Sequence, residues 1–558
     1  MRDVKTTSKQ KTRSRIASTT SHPTEYNRPP TVHDHLVSLL PRLASGRSTC
    51  PAWPADVFAV AASLLTRGGA YAAILKQWPI SERGSTWVAK ARSVGAQWRN
   101  AWSSPPPDVI DHWNRVINAR RVKLQEISST PILLESLISL VAFSDEACLK
   151  VGIPITYRSL KGRELEFQLR ADELLEPSDF GSTLCREIHP NRLRVLPKMH
   201  TPQTGMTIRS LSLNLGLVVS DEIVPKWHVL LQPINDTRFN VLYVPWPFEV
   251  ADRALKPCKR NPHELDNMPS RFDFFTYQPR KLGNPANYLR KLLEAEELSG
   301  KKIHAVVLPE LAVTPTEYEA LQRLTRSRDM ILIAGVRVKP ETEQYSRNEV
   351  RFSAPGHQTL VQQKHHRWKL DESQIERYRL ERSLDPRKDW WEHIDISSRE
   401  FTFFAIGDGM VISALICEDL ARPDPVGDMV RAVGPNLVIA LLLDGPQIAS
   451  RWPGRYAASL ANDPGSSVLS VTSQGMSFRS RPAKKQKNRK RSLALWHSPS
   501  NDWREINIAP GAGAIFLSFE KKRKKEYVAD GRDDAEQSVF LELRNRFSVR
   551  IPASNQSA

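Results

Sequence analysis

From about residue 238 the sequence predicts an α/β fold, a sheet covered by helices, and three observations carry that reading. Several runs of five to seven residues, such as 303–308 and 437–443, are apolar almost without a break rather than alternating. Strands buried on both faces read this way. Between such runs lie segments with helix start and stop signals, and the two kinds of segment take turns along the chain. The preceding 237 residues have a different texture, mostly helical and then mixed α+β.

Residues 1–30 are polar, basic and dotted with proline, and a disordered tail is expected there. From about 33 to 145 the pattern is helical. Residues 55–65 are rich in alanine and leucine, Gly68-Gly69 interrupts them, and 70–75 resumes the pattern. Pro105-Pro106-Pro107 marks a boundary, and 131–141 reads as an apolar helix. Candidate strands at 165–169 and 228–231 make 150–237 a mixed region.

Beyond it, 240–244 is a short apolar strand. Asn284 caps a helix over 285–299, with Pro285 in its first turn and Gly300 at its end. Leu289, Leu292 and Leu293 share one face of that helix. Residues 303–308 (IHAVVL) form a buried strand that ends at Pro309-Glu310. Thr314, Pro315 and Glu317 then make a capping box with proline at the first helical position. Further strands are expected at 330–336, 348–352, 359–363, 401–406, 411–416, 437–443, 468–472 and 514–519. The organisation that follows is a tail (1–30), a helical domain (31–150), a mixed region (151–237), an α/β domain (238–530) and a C-terminal extension (531–558).

Composition narrows the function classes. No apolar run approaches the roughly 18 residues of a membrane span. The basic start is not followed by an apolar stretch, so it is not a secretory signal. Five scattered cysteines without a CxxC pair argue against a disulfide framework or a cysteine zinc site, and fit a reducing cytoplasm. A net charge of +19 favours polyanions. Much of it lies in the acid-free run from Arg479 to Arg491 and in 521–525 (KKRKK). Such runs are commonly solvated loops, and neither interleaves aromatic residues with the bases as single-strand binding would require. The run 479–491 is the candidate contact should a nucleic acid be a partner.

Three predicted strands each deliver a reactive group at or just beyond their carboxyl ends: Glu310, Lys364 and Cys417. Ligand sites of layered α/β proteins lie at those ends, so the three can converge. Taken singly, each has a plain structural explanation as helix cap, solvated cation or buried hydrophobe. What sets them apart is the conjunction: a carboxylate, a lysine and a thiol, in that order, all at strand ends of one domain. His357, His365, His366 and His393 lack a metal-binding spacing, and there is no Walker loop, dinucleotide fingerprint or GxSxG. No cofactor or metal is expected.

The segments VVLPELAV (306–313), QQKHHRW (362–368) and ALICEDL (414–420) resemble the three signature blocks of the nitrilase superfamily of carbon–nitrogen hydrolases. RYAASLAN (455–462) and VLSVTSQG (468–475) are similar to the helix and strand that follow the family's nucleophile. The resemblance spans about 238–530. It implies a four-layer α-β-β-α sandwich, subunits that pair into a dimer or larger assembly, and a thiol-dependent attack on a nonpeptide amide, carbamoyl or nitrile group.

Within that chemistry Cys417 is the nucleophile, Glu310 the proton-transfer base and Lys364 the electrostatic partner. Glu372, eight residues past the lysine, orients Lys364 or the substrate, and the backbone N–H of Glu418 helps stabilise the developing oxyanion. Lys369 competes with Lys364 for the lysine role. The chain departs from the family in its Thr314–Tyr318 stretch (TPTEY), in Arg367, in a long 245–283 segment and in apparent insertions at 373–400 and 479–491. The alternative function is a regulatory or nucleic-acid-binding protein that uses the domain as a sensor.

Overall fold

The computed structural model describes residues 29–74, 84–154, 160–230, 234–258, 269–280, 283–339, 345–481 and 492–551. The expected tail up to residue 28, and 482–491 of the basic run, lie outside these.

The chain is a mixed α/β protein with several sheets. In its N-terminal part, helices Pro54–Arg67, Gly84–Asn100 and Pro107–Asn118 pack against Pro131–Ala147. The sequence of the last is apolar nearly all round, which suits a central helix. It also buries Asp145 and Glu146 at its C-terminal end, where Arg532 meets both at 2.9 Å and Asp530 at 2.8 Å. Asp145 further accepts the backbone N–H groups of Leu213, Asn214 and Leu215. The strand expected at 165–169 is instead part of helix Gly162–Leu175, which buries Phe167, Ala171 and Leu175 at helical spacing. Five residues of apparent alternation (LEFQL) are too short a window to separate the two periods.

Two seven-stranded sheets hold the remaining order. One runs Leu360–Gln363, Arg347–Ser353, Ile331–Val338, Ala305–Val313, Arg238–Tyr243, Ala514–Lys524, Ser538–Val549. The other runs Trp503–Asn507, Ser492–His497, Ser467–Thr472, Leu437–Leu442, Met410–Ile416, Glu400–Gly407, Val224–Val229. The central strands of both are parallel. Side chains alternate as a pleated strand requires. Val241 and Tyr243 join the core shared with the second sheet, whereas Leu242 and Val244 pack with Leu289, Leu292, Tyr318 and Leu321 of helices Pro285–Leu293 and Pro315–Arg326. Helix Trp452–Asn462 packs on strands of the second sheet.

The expected boundaries shift at both ends. Val224–Val229 pairs in parallel with Glu400–Gly407, so the second sheet recruits residues assigned to the mixed region. Ser538–Val549 pairs along Ala514–Lys524 and edges the first sheet, beyond residue 530. Both are edge strands with polar residues interleaved, which leaves no continuous apolar run to read. The helix expected over 285–299 closes at Leu293, followed by a short turn of 3₁₀ helix.

The two segments that looked like interruptions, 245–283 and 373–400, find each other. Leu255–Pro257, Phe272–Tyr277, Asp389–Glu392 and Lys369–Leu370 form a separate four-stranded sheet. The basic run 521–525 is also not a solvated loop. Residues 521–524 continue the strand, and every side chain of the five has a carboxylate within 4 Å: Asp408 for Lys521 and Arg523, Glu520 for Lys522, Glu542 for Lys524 and Asp533 for Lys525. Arg479, first of the other run, is buried against Tyr378, Arg379 and Val250 carbonyls and Asp252, while Arg481 pairs with Glu381. No helix among the described residues is long and apolar enough to cross a membrane.

Candidate active site

Glu310, Lys364 and Cys417 are all buried, and they sit around one point between the two large sheets. Glu310 lies in a bulge of strand Ala305–Val313, whose pairing with Ile331–Val338 shifts register between Leu308 and Val313. Leu311 takes a left-handed conformation there, with φ of 53°. The neighbouring strand accommodates the bulge with Gly335, where a Cβ would stand 2.3 Å from the Pro309 carbonyl oxygen and 2.6 Å from the Glu310 Cα. Cys417 follows strand Met410–Ile416 and opens a short 3₁₀ helix, also with positive φ, 47°. For a residue with a Cβ this costs about 1–2 kcal/mol. The surrounding packing holds it, and the sharp turn presents the thiol at the strand end.

Lys364 is the centre of a closed polar cluster. Its Nζ donates to Glu310 Oε1 at 2.9 Å and to Glu392 Oε2 at 2.7 Å. Asn348 Nδ2 bridges the same two carboxylates at 2.8 and 3.0 Å. The Leu443 N–H, from the end of a second-sheet strand, donates to Glu310 Oε2 at 2.6 Å, so this carboxylate ties both sheets together. Asp419 fixes the turn after the lysine. It accepts the backbone N–H groups of His365 and His366 and contacts both imidazoles, which anchors the Lys364 turn to the segment that follows Cys417.

The electrostatics follow from burial and from an excess of anions. Desolvation raises the Glu310 carboxyl, Lys364 lowers it and Glu392 raises it, with a net upward shift. Burial alone would lower the Lys364 ammonium, but Glu310 and Glu392 hold it well above its ordinary value. The Cys417 thiol is pushed far up, chiefly by burial and then by Glu310, with Lys364 opposing. Asp419 is held well below the usual carboxylate range: burial works against ionisation, and the hydrogen bonds from His365 and His366 outweigh it. The shifts therefore favour a charged lysine, a carboxyl that holds its proton more readily than usual and a thiol that keeps its own.

Of the residues singled out in the sequence, Glu372 is the one this geometry sets apart. It is exposed at the start of helix Glu372–Arg377, and the second carboxylate on Lys364 is Glu392. Eight residues past the lysine the chain has already turned into the inserted helix. It returns to the lysine only with strand Asp389–Glu392. Lys369 is half-exposed and pairs with Asp389, outside the cluster. The Glu418 side chain pairs with Arg422. Glu392, Asn348 and Asp419 were not picked out from the sequence as members of the cluster. Glu392 is disguised by the insertion, and Asn348 has no sequence signal beyond lying on a predicted strand.

Cys417 opens on a cavity of about 280 Å³, whose walls include Trp368, Gln374, Arg377, Tyr378, Asp444 and Trp452. A larger cavity of about 570 Å³ lies behind Leu311 and Glu392 and does not include the thiol, so its size does not mark it as the reacting chamber. Asp444 is fixed by Arg451 Nη2 at 2.7 Å and by the Tyr378 hydroxyl.

Half of this chain is similar to solved nitrilase-superfamily structures. Nit3 of Saccharomyces cerevisiae, a member of branch 10 of that superfamily, matches 51% of this chain and 90% of its own at 13% identity, with a TM-score of 0.32. An amidase from Nesterenkonia sp. matches 51% and 91% at 14% identity, with a TM-score of 0.31. A mutant of the latter in complex with butyramide matches 50% and 89% at 13% identity, with a TM-score of 0.31. No family model matches the sequence, and no curated protein does.

Glu392→Gln is expected to leave the fold intact and to lower the Lys364 ammonium from its raised value, because one of its two anionic partners is lost. The high-pH limb of any Cys417-dependent activity should then move to lower pH. A pH–rate profile of the variant reads this directly, and an unmoved limb would mean that Glu392 does not control the lysine.

Proposed function

We propose that residues of the two large sheets form a thiol-dependent carbon–nitrogen hydrolase with a four-layer α-β-β-α arrangement, cleaving a nonpeptide amide, carbamoyl or nitrile group through Cys417, Glu310 and Lys364. The observation that carries this reading is the buried cluster itself: a carboxylate and an ammonium both act on a strand-end thiol that opens on a cavity. Assembly into a homodimer or larger oligomer is part of the same proposal.

Under it, Glu310 takes the proton from Cys417 Sγ as the sulfur attacks the amide carbon. The carbonyl π pair moves to oxygen, giving an oxyanion. Lys364 has three N–H donors, and two are held by Glu310 and Glu392, so the third is free to stabilise that charge. The Glu418 N–H is the second proposed donor. Collapse of the intermediate breaks the C–N bond, and Glu310 returns the proton to the leaving amine. Glu310 then takes a proton from water, the hydroxide attacks the thioester, and the thiolate leaves with its proton restored. Glu392 takes the orienting role that the resemblance implied for Glu372.

The test is ammonia release and covalent acylation, measured on wild type and Glu310→Gln against a panel of small amides and nitriles. Wild type should give both, with Cys417 as the labelled peptide. Because the productive form needs ionised Glu310 and that carboxyl is shifted upward, activity should rise with pH through a midpoint above the ordinary glutamate value. Lys364 stays charged far into the alkaline range, so no early decline is expected. Equal turnover by Glu310→Gln would remove the proposed base.

A further inference from the structure

We infer that the larger of the two cavities, about 570 Å³, is a second ligand site, built for an apolar acid, and that filling it lowers the reactivity of Cys417. Its volume falls within the roughly 300–1,000 Å³ of small-molecule sites. The walls are largely apolar, from Phe275, Tyr277, Leu311, Pro315, Val338 and Ile394. They come from strand Phe272–Tyr277 of the four-stranded sheet, the start of helix Pro315–Arg326, the end of strand Ile331–Val338 and the turn after Asp389–Glu392.

The polar groups of the wall decide what such a ligand carries. Its carboxylates are already engaged. Glu317 accepts the Thr314 N–H at 2.8 Å and Arg337 Nη2 at 3.3 Å, and Glu392 accepts Lys364, Asn348 and the Trp368 N–H. What remains is donors. In the first turn of helix Pro315–Arg326, Pro315 has no N–H, the Thr314 hydroxyl accepts the Glu317 N–H, and the Tyr318 N–H reaches the Thr314 carbonyl. That leaves the Thr316 N–H, which lies at the positive end of the helix and lines the cavity. The Tyr277 hydroxyl is shielded from solvent and, among the described residues, has no hydrogen-bond partner. Burial raises it above the ordinary phenol range, so it stays a donor. Two donors without acceptors, beside the Arg337 guanidinium, suit a carboxylate. The walls suit a hydrocarbon body behind it.

The cavity ends on the catalytic cluster. Glu392 is the carboxylate that holds Lys364, and Leu311 is the neighbour of Glu310 in the bulge. The Tyr277 hydroxyl is itself within the field of Glu310. An anion seated here adds to the negative charge that, together with burial, keeps the Cys417 thiol protonated. The thiol should therefore react more slowly when the site is filled.

Calorimetric titration of the full-length protein with 4-phenylbutyrate and with 4-phenylbutan-1-ol tests the site and its ligand class. The acid should bind at a single site, about 10-fold tighter than the alcohol, the scale of a charge-assisted hydrogen bond. Tyr277→Phe removes a hydroxyl that has no partner, so the fold should be unaffected while the acid binds about 10-fold more weakly. Val338→Trp, at the end of its strand, should abolish binding by filling the space. Neither residue lines the Cys417 chamber, so their effects locate the site. Alkylation of Cys417 by iodoacetamide, read on the Cys417 peptide by mass, then follows the link to the cluster. The Sγ–C bond forms as iodide leaves, and the thiol proton passes to water. Saturating acid should slow it about 5-fold in wild type, the lower end of typical coupling between sites, and leave it unchanged in Val338→Trp. No binding of the acid, equal affinity for the alcohol, or binding that both variants leave intact overturns the site. An alkylation rate indifferent to the acid overturns the link to Cys417. None of these readouts needs turnover, so they stand or fall apart from the hydrolase reading.

Discussion

Cys417→Ala should yield folded protein that releases no ammonia and takes up no acyl label. On the proposed chemistry the loss in kcat is on the order of 10⁶-fold, as when a nucleophile is deleted from a catalytic group that acts as a unit. The fold should tolerate the change. Alanine meets the same left-handed backbone as cysteine does at this position, and only one buried sulfur is lost. Thermal unfolding read beside ammonia release separates the two effects. Persistent turnover by the alanine protein would place the nucleophile elsewhere among the cysteines, of which Cys50, Cys148, Cys185 and Cys258 are also free thiols.

Lys364→Met is the substitution expected to damage both stability and chemistry. It leaves Glu310 and Glu392 buried and facing each other without their shared cation. Removing one partner of a buried ion pair costs about 3–5 kcal/mol. The sign of the pH dependence then follows from linkage. A carboxyl whose folded pKa is raised binds its proton more readily in the native state, so the variant gains stability as pH falls through that raised value. The deficit against wild type should therefore be smaller at acidic than at neutral pH. Adding Glu392→Gln should recover part of it at neutral pH. Turnover should fall by about 10²–10³-fold from loss of an oxyanion donor. Chemical denaturation at two pH values checks the first claim, and a deficit that grew on acidification would show that the two carboxylates are not the source of the cost.

The strands that deliver Glu310 and Cys417 were legible because they are buried on both faces and read as nearly unbroken apolar runs. Strands Ala305–Val313, Met410–Ile416, Leu437–Leu442 and Ser467–Thr472 stand within a few residues of their expected bounds. The edge strands Val224–Val229 and Ser538–Val549 were not legible at these bounds, since polar residues interleave along both. Glu310 and Cys417 could be picked out because each lies at the end of such a run, and Lys364 because it directly follows the short edge strand Leu360–Gln363. Glu392 could not. Its distance along the chain from Lys364 is set by an insertion, and only the closure of the four-stranded sheet through Asp389–Glu392 brings it back. Asn348 and Asp419 act by hydrogen bonds that span dozens of residues, 38 to Glu310 in one case and 54 to His365 in the other. No local pattern carries that information.

The buried Arg532 also bears on how the chain reaches this structure during synthesis. Its partner Asp145 lies 387 residues earlier, on the central helix of the N-terminal bundle. At roughly 5–20 residues per second, ribosomes need about 20–80 s to make the intervening chain. Through that interval Asp145 and Glu146 have no guanidinium to meet, and burying them unpaired is costly. Closure of the bundle around Asp145 and Glu146 is therefore expected only once the segment that carries Arg532 has been made.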